Sequence, residues 1–229
     1  MLFIILILFM VVGFIVQANL KRKFKKYSQV GLQAGLSGRE IAEKMLSDNG
    51  IYDVEIMSTP GKLTDHYNPA NKTINLSEDV YHSRSVAAAA VAAHECGHAV
   101  QHARNYSWLQ FRSALVPIVS FSSRVMGIIF MIMLFGALAT TMFPLETVLW
   151  VMIILQGSIT LFTVVTLPVE YDASNRALVW MKESGTATQS EHGNAKDALN
   201  AAANTYLVSA LASITQLAYY VLMLMGVRD

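Results

Sequence analysis

Charge is scarce in this chain: of 229 residues only 14% are Asp, Glu, Lys or Arg, against about 25% in soluble proteins. There is a single cysteine, Cys96, which excludes an intramolecular disulfide framework and a cysteine-type zinc cluster. The net charge is only +1, and no stripe of Lys/Arg interleaved with aromatics recurs along the chain, so nothing supports nucleic-acid binding. Hydrophobic residues make up 54% of the chain, and that excess points to a membrane protein.

Four segments are long and apolar enough to cross a bilayer core as helices, which takes roughly 17–25 residues: Leu2 to Ala18, Val125 to Phe143, Thr147 to Leu167, and Tyr206 to Met225. The first lacks a basic segment before it and is followed by Lys21-Arg22-Lys23-Phe24-Lys25-Lys26, the wrong polarity for a signal peptide. Val16-Gln17-Ala18 resembles a cleavage site only faintly, and an uncleaved anchor with its basic flank in the cytoplasm is expected. Arg124 marks the polar end of the second span, because an Arg at mid-bilayer costs about 2.5–3.5 kcal/mol. Pro144-Leu145-Glu146 then joins the second and third spans as a helical hairpin. The fourth span carries Ser209, Ser213, Thr215 and Gln216, which suits packing against other helices. Counting crossings puts Lys21 to Ser123 and Pro168 to Thr205 on the same, cytoplasmic, side.

In the first of these polar regions, Ser37 and Glu40 have the spacing of a capping box at the start of an amphipathic helix through Leu46. Tyr52 to Ile56 and Lys72 to Leu76 alternate as strands, with turns at Pro60-Gly61 and Asn68-Pro69. Arg84 to Ala103 is alanine-rich with no breaker except Gly97, a strong helix. The second polar region continues as a helix from Glu170 to Lys182, loosens over Ser184 to Thr188, and restarts near Asn194.

His94-Glu95-Cys96-Gly97-His98 lies on the alanine-rich helix. Residues four apart share a face, so both imidazoles can take two corners of a tetrahedral zinc site. Glu95 is then placed to act as general base toward a zinc-activated water, the arrangement that peptide hydrolysis needs. The alternative is two histidines on an ordinary helix. A catalytic zinc takes a third protein ligand. His102 is eight residues from His94, about 12 Å along the axis, and Arg104 occupies the position of a third histidine in the longer metzincin spacing. Glu170 is the better candidate: it follows the third span on the side where the crossings place His94. The alternative for Glu170 is an interfacial carboxylate paired with Arg176 or solvated. Cys96 faces away from the histidines and suits a small apolar packing role. His82 and His192 carry no assignable role.

Three blocks carry a family resemblance: Gly61 to Pro69, Leu76 to Tyr81, and Val91 to Ala103, with Arg112 to Pro117 and Glu170 to Ser174 continuing it. Together they make the chain similar to the YugP-like bacterial membrane zinc peptidases. The resemblance implies a gluzincin-like site of His94, His98 and Glu170 around one zinc ion, with Glu95 as the base. Distantly similar membrane proteases have Glu-x-x-x-Asp on the ligand helix. Here the last position is Ser174, so the acid that would orient a histidine is absent, and Asp172 or Asn175 are the substitutes considered. Strand Lys72-Thr73-Ile74-Asn75-Leu76 is expected to take substrate as an added strand, or else to be a plain core or edge strand. His66 is a candidate donor to the oxyanion, or a surface histidine.

The expected fold is therefore a mainly α membrane protein of about four transmembrane helices with a small α+β zincin-like cytoplasmic catalytic part. Its expected divisions are an anchor (1–18), a catalytic region (19–123), a transmembrane hairpin (124–167), a third-ligand helix and loop (168–205) and a C-terminal span (206–229). The expected function is zinc-dependent endopeptidase action on peptide or membrane-protein substrates at a multi-pass cell membrane, a bacterial inner membrane by the resemblance. The rival from another class is a membrane scaffold or chaperone-like protein with a structural or inactive zinc site, against which the intact Glu95 argues. A transporter with a midplane metal site is disfavoured because the metal helix lies outside the spans.

Overall fold

The computed structural model describes residues 2–135 and 144–226. The chain is mostly helical with one small sheet, in the order α1 (Leu2–Tyr27), α2 (Gly38–Asp48), β1 (Glu55–Thr59), β2 (His66–Asn68), β3 (Thr73–Ser77), α3 (Glu78–Tyr81), α4 (Val86–Ala103), α5 (Ser107–Phe135), α6 (Leu145–Glu183) and α7 (Gln189–Leu224). Contacts group these into two units: Met1–Phe14, Gln110–Leu167 and Tyr206–Asp229 in one, and Ile15–Leu109 with Pro168–Thr205 in the other.

Among the described residues, four helices are long and apolar enough to cross a membrane: Ile4–Tyr27, Ser107–Met133, Leu145–Glu183 and Gln189–Leu224. Each is longer than the apolar run that announced it, because charge ends membrane compatibility without ending a helix. Thus α5 begins at Ser107 and continues unbroken through Arg124, and α6 runs on through Pro168 to Glu183. Likewise α7 begins at Gln189, before the expected restart at Asn194. The end of the expected second span, 136–143, lies outside the described residues. Leu145 and Glu146, expected in the hairpin turn, are the first residues of α6.

In the first unit, buried polar side chains tie helices together. Thr160 Oγ1 lies 2.8 Å from Ser213 Oγ, and Gln156 Nε2 donates to the same hydroxyl at 3.2 Å. Such groups in an apolar surrounding are stable only when paired.

The second unit is built on α4. Its first half is nearly all alanine, and Ala87 to Ala90, Ala92 and Ala93 are all buried. Small side chains on every face of this first half let neighbours approach from all sides. Ser85 caps it, accepting from Ala88 N–H at 3.2 Å. Against it pack α2, through Ile41, Met45 and Leu46, and α6, through Ala177, Trp180 and Met181. The capping box on α2 is complete: Ser37 Oγ accepts from Glu40 N–H at 3.3 Å, and Glu40 Oε2 accepts from Ser37 N–H at 2.7 Å.

The sheet has the order β1-β3-β2, with β1 parallel and β2 antiparallel to β3. Two expectations change here. The first strand is Glu55–Thr59, shifted from Tyr52 to Ile56, because its pairing with β3 starts where Glu55 N–H meets Lys72 O at 3.0 Å. β2 was not foreseen. More consequentially, β3 is the central strand, with Ile74 and Leu76 fully buried. Of the expected segment Lys72, Thr73, Ile74, Asn75 and Leu76, the residues Thr73 to Asn75 pair with β1 on one edge and β2 on the other, so these three offer no free edge to an added peptide strand.

Candidate metal centre

His94 and His98 project from one side of α4 toward Glu170 on α6. His94 Nε2 lies 3.3 Å and His98 Nε2 3.6 Å from Glu170 Oε2, and the three ligand atoms all fall within 4.8 Å of one another. Two ligands about 2.1 Å from a tetrahedral ion stand about 3.4 Å apart, so the donor types and the two histidine-to-glutamate spacings suit zinc. Glu170 is 2% exposed and His98 8%, so the carboxylate and this imidazole are held out of bulk water. Burial works against the His98 imidazolium, but the Glu170 and Glu95 carboxylates outweigh it and raise the His98 pKa. Protons and metal therefore compete for this side chain.

The helices meet this closely because of Gly97, between the two histidines. A Cβ there would stand 2.5 Å from the Ala173 carbonyl oxygen, far inside van der Waals contact. Glycine at this position is what lets α4 lie on α6 one turn from Glu170.

Each histidine is oriented by a partner on its far nitrogen. His94 Nδ1 is 3.1 Å from Ser174 Oγ, and His98 Nδ1 is 3.0 Å from Gln101 Oε1. Gln101 is completely buried. Its Nε2 donates to Val169 O and to Asp172 Oδ2, both at 2.8 Å. Both are acceptors, so the amide's orientation is set and Oε1 must accept. His98 therefore carries its proton on Nδ1 and presents the Nε2 lone pair to the metal position, the usual tautomer of a ligating histidine. Asp172 also takes Arg176 Nε at 2.5 Å, and the Arg176 guanidinium lies over the Tyr106 ring at 5.7 Å. Arg176 thus pairs with Asp172, not with Glu170.

Glu95 is 8% exposed, and its Oε2 accepts from the Tyr67 backbone N–H of β2 at 2.9 Å. Of the candidate orienting residues, Asp172 acts through Gln101, whereas Asn175 is exposed and Ser174 occupies the place considered for it. His66, the first residue of β2, is exposed, with Nδ1 2.7 Å from Thr64 O in the turn before it. His102 Nδ1 lies 2.7 Å from the Tyr67 hydroxyl, on another partner than the metal position. Cys96 is fully buried, its Sγ donating to Ala42 O at 3.6 Å. Burial, with Glu95 beside it, pushes the thiol pKa well above its ordinary value. Gln101, Ser174 and Tyr67 were not singled out from sequence as partners of the site. The available signal was Gln101 itself, an uncharged polar residue one turn beyond His98.

Two histidines on one helix and a glutamate on a second form a group that could hold a metal ion, in a chain with four helices long and apolar enough to cross a membrane. The chain belongs to the family described as "putative neutral zinc metallopeptidase", which it matches over residues 2–225. Among curated proteins it is similar to the "putative membrane protease YugP" of Bacillus subtilis (strain 168). The two are 38% identical over 218 residues, covering 95% of this chain and 93% of that protein. No solved structure matches it.

Proposed function

We propose that this protein is a membrane-integrated, zinc-dependent endopeptidase with a gluzincin-like catalytic centre holding one ion and facing the cytoplasm. The convergence of His94, His98 and Glu170 on one point, with Glu95 next along α4 from the first histidine, carries the reading. Orientation rests on the basic run after the first apolar segment, which favours the cytoplasmic side. The divisions that follow are an anchor (1–18), a catalytic region (19–123), a hairpin (124–167), a ligand helix (168–205) and a last span (206–229), with a bacterial inner membrane as the setting.

Zinc held by His94, His98 and Glu170 supplies Lewis acidity toward the scissile carbonyl and toward water. The rest of the chemistry belongs to side chains. Glu95 accepts a proton from the attacking water as its oxygen bonds to the carbonyl carbon, then delivers that proton to the departing amine as the C–N bond breaks. Tyr67 N–H holds one Glu95 oxygen, which fixes the plane of the carboxylate. Ser174 and Gln101 hold the two imidazoles.

The test is a paired zinc and cleavage measurement on the full-length protein in detergent, with fluorogenic casein as the probe. Glu95→Gln should retain stoichiometric zinc and lose about 10²–10⁴-fold in cleavage rate, whereas Glu170→Ala should lose the zinc. A Glu95→Gln protein that cleaves at the parental rate would remove the base assignment.

A further inference from the structure

The basic run after the first apolar segment is divided by its partners. Lys23 Nζ pairs with Asp197 at 2.5 Å, Arg22 Nη2 donates to Asn19 Oδ1 at 2.8 Å, and Lys26 lies over the Tyr27 ring at 4.9 Å. Lys21 and Lys25 make no ion pair among the described residues. They belong with Phe24 and Ser28 to one stripe of α1, at spacings of three and four that bring side chains to a single helix face. This stripe forms one wall of a cavity of about 580 Å³, and Lys62, Leu63, Ser77 and Asp79 form the other.

The second wall is set by an unusual loop. Leu63 has φ 58°, in the left-handed region that a leucine rarely adopts, at a cost of about 1–2 kcal/mol. Thr64 Oγ1 donates to Pro60 O at 3.2 Å, and Lys62 pairs with Asp79 at 3.0 Å. The strained backbone puts an apolar side chain, 39% exposed, beside a lysine at the cavity. The lining therefore combines three lysines against one aspartate with the apolar side chains of Phe24 and Leu63. Lys21 is also the first charged residue after the apolar stretch of α1. In a bilayer that residue stands at headgroup depth.

We propose that this cavity is a binding site for the headgroup of an anionic phospholipid, its phosphate held by Lys21, Lys25 and Lys62 and its proximal acyl segment against Phe24 and Leu63. A net positive lining favours a headgroup of net negative charge over a zwitterionic one, and the apolar pair favours a lipid over free phosphate. The position at the end of a candidate span favours a lipid over an acidic peptide arriving from water. The site is separate from the zinc donor set and does not depend on peptidase activity.

Native mass spectrometry of the full-length protein in dodecyl maltoside, titrated with dioleoylphosphatidylglycerol, tests this. One lipid should be retained in preference to dioleoylphosphatidylcholine. Each lysine near a phospholipid surface is worth roughly fivefold in affinity, so Lys21→Gln/Lys25→Gln should weaken retention about 30-fold. Arg22→Gln/Lys26→Gln removes the same charge from the same run outside the cavity and should change retention less than about threefold. Equal losses in the two pairs, or equal retention of the phosphatidylcholine, would overturn the proposal. So would displacement of the lipid by inorganic phosphate at matched concentration, or tighter binding of a poly-glutamate peptide at the same lysines.

Discussion

Gly97→Ala sets two opposing effects against each other. In a helix interior Ala is more favourable than Gly by about 1 kcal/mol, so the substitution should stabilise α4 considered alone. Against this, the new methyl would stand 2.5 Å from Ala173 O and 3.0 Å from its C and Cα. Those are backbone atoms and cannot rotate aside, so α4 and α6 must part by roughly 1 Å to restore contact distance. Gly97 lies between two of the proposed zinc ligands, and Ala173 is on the turn after the third. A metal site tolerates departures of about 0.2 Å in ligand distance, so the separation falls almost entirely on the ligand geometry. Overpacking of this size costs about 1–3 kcal/mol, which corresponds to roughly 5–150-fold in zinc affinity. Competition with a chromophoric chelator measures the affinity, and thermal melts with and without zinc measure stability. The metal-free protein should melt within a few degrees of the parent, while its stabilisation by zinc shrinks. A Gly97→Ala protein with unchanged zinc affinity and a raised melting temperature would refute the close-approach argument.

Three further outcomes are expected. Gln101→Leu keeps the volume but removes the acceptor for His98 Nδ1 and the donor to Asp172, and should weaken zinc binding about 10–100-fold, read by the same chelator competition. Ser174→Ala removes a single neutral contact to His94 and should fall at or below the low end of that range. Cys96, buried with its thiol pKa raised, should resist iodoacetamide in the native protein and react fully only in denaturant, as peptide mass mapping would show.

What could be read before the structure was known follows from the range of the signals involved. The histidine pair on α4 is a local matter of helical period, and the capping box on α2 is equally local; both stand as the spacing implied. Glu170 required only the assumption that charges stay out of the bilayer. The order of the sheet is different in kind. The alternation of 72–76 announces a strand, but its central place depends on pairing with β1 and β2, and β2 has three residues, too few for a period to show. The Gln101 relay was illegible for a related reason: its donors' targets, Val169 and Asp172, come from α6, and one turn of α4 says nothing about them. Helix lengths were underestimated because hydropathy reports where a helix can lie in lipid, whereas hydrogen bonding continues past the last apolar residue.

The origin of Glu170 on α6, far later in the chain than the histidines on α4, has a consequence for biogenesis. A nascent chain that has emerged as far as α5 carries the histidine pair and Glu95 but lacks the acidic ligand, and Gln101 has neither of its two acceptors. The three proposed ligands cannot gather until the ribosome has passed Glu170 and the helix bearing it has docked. The order of synthesis thereby keeps the cluster open during insertion: His94, Glu95 and His98 are made well before the residue that would close it.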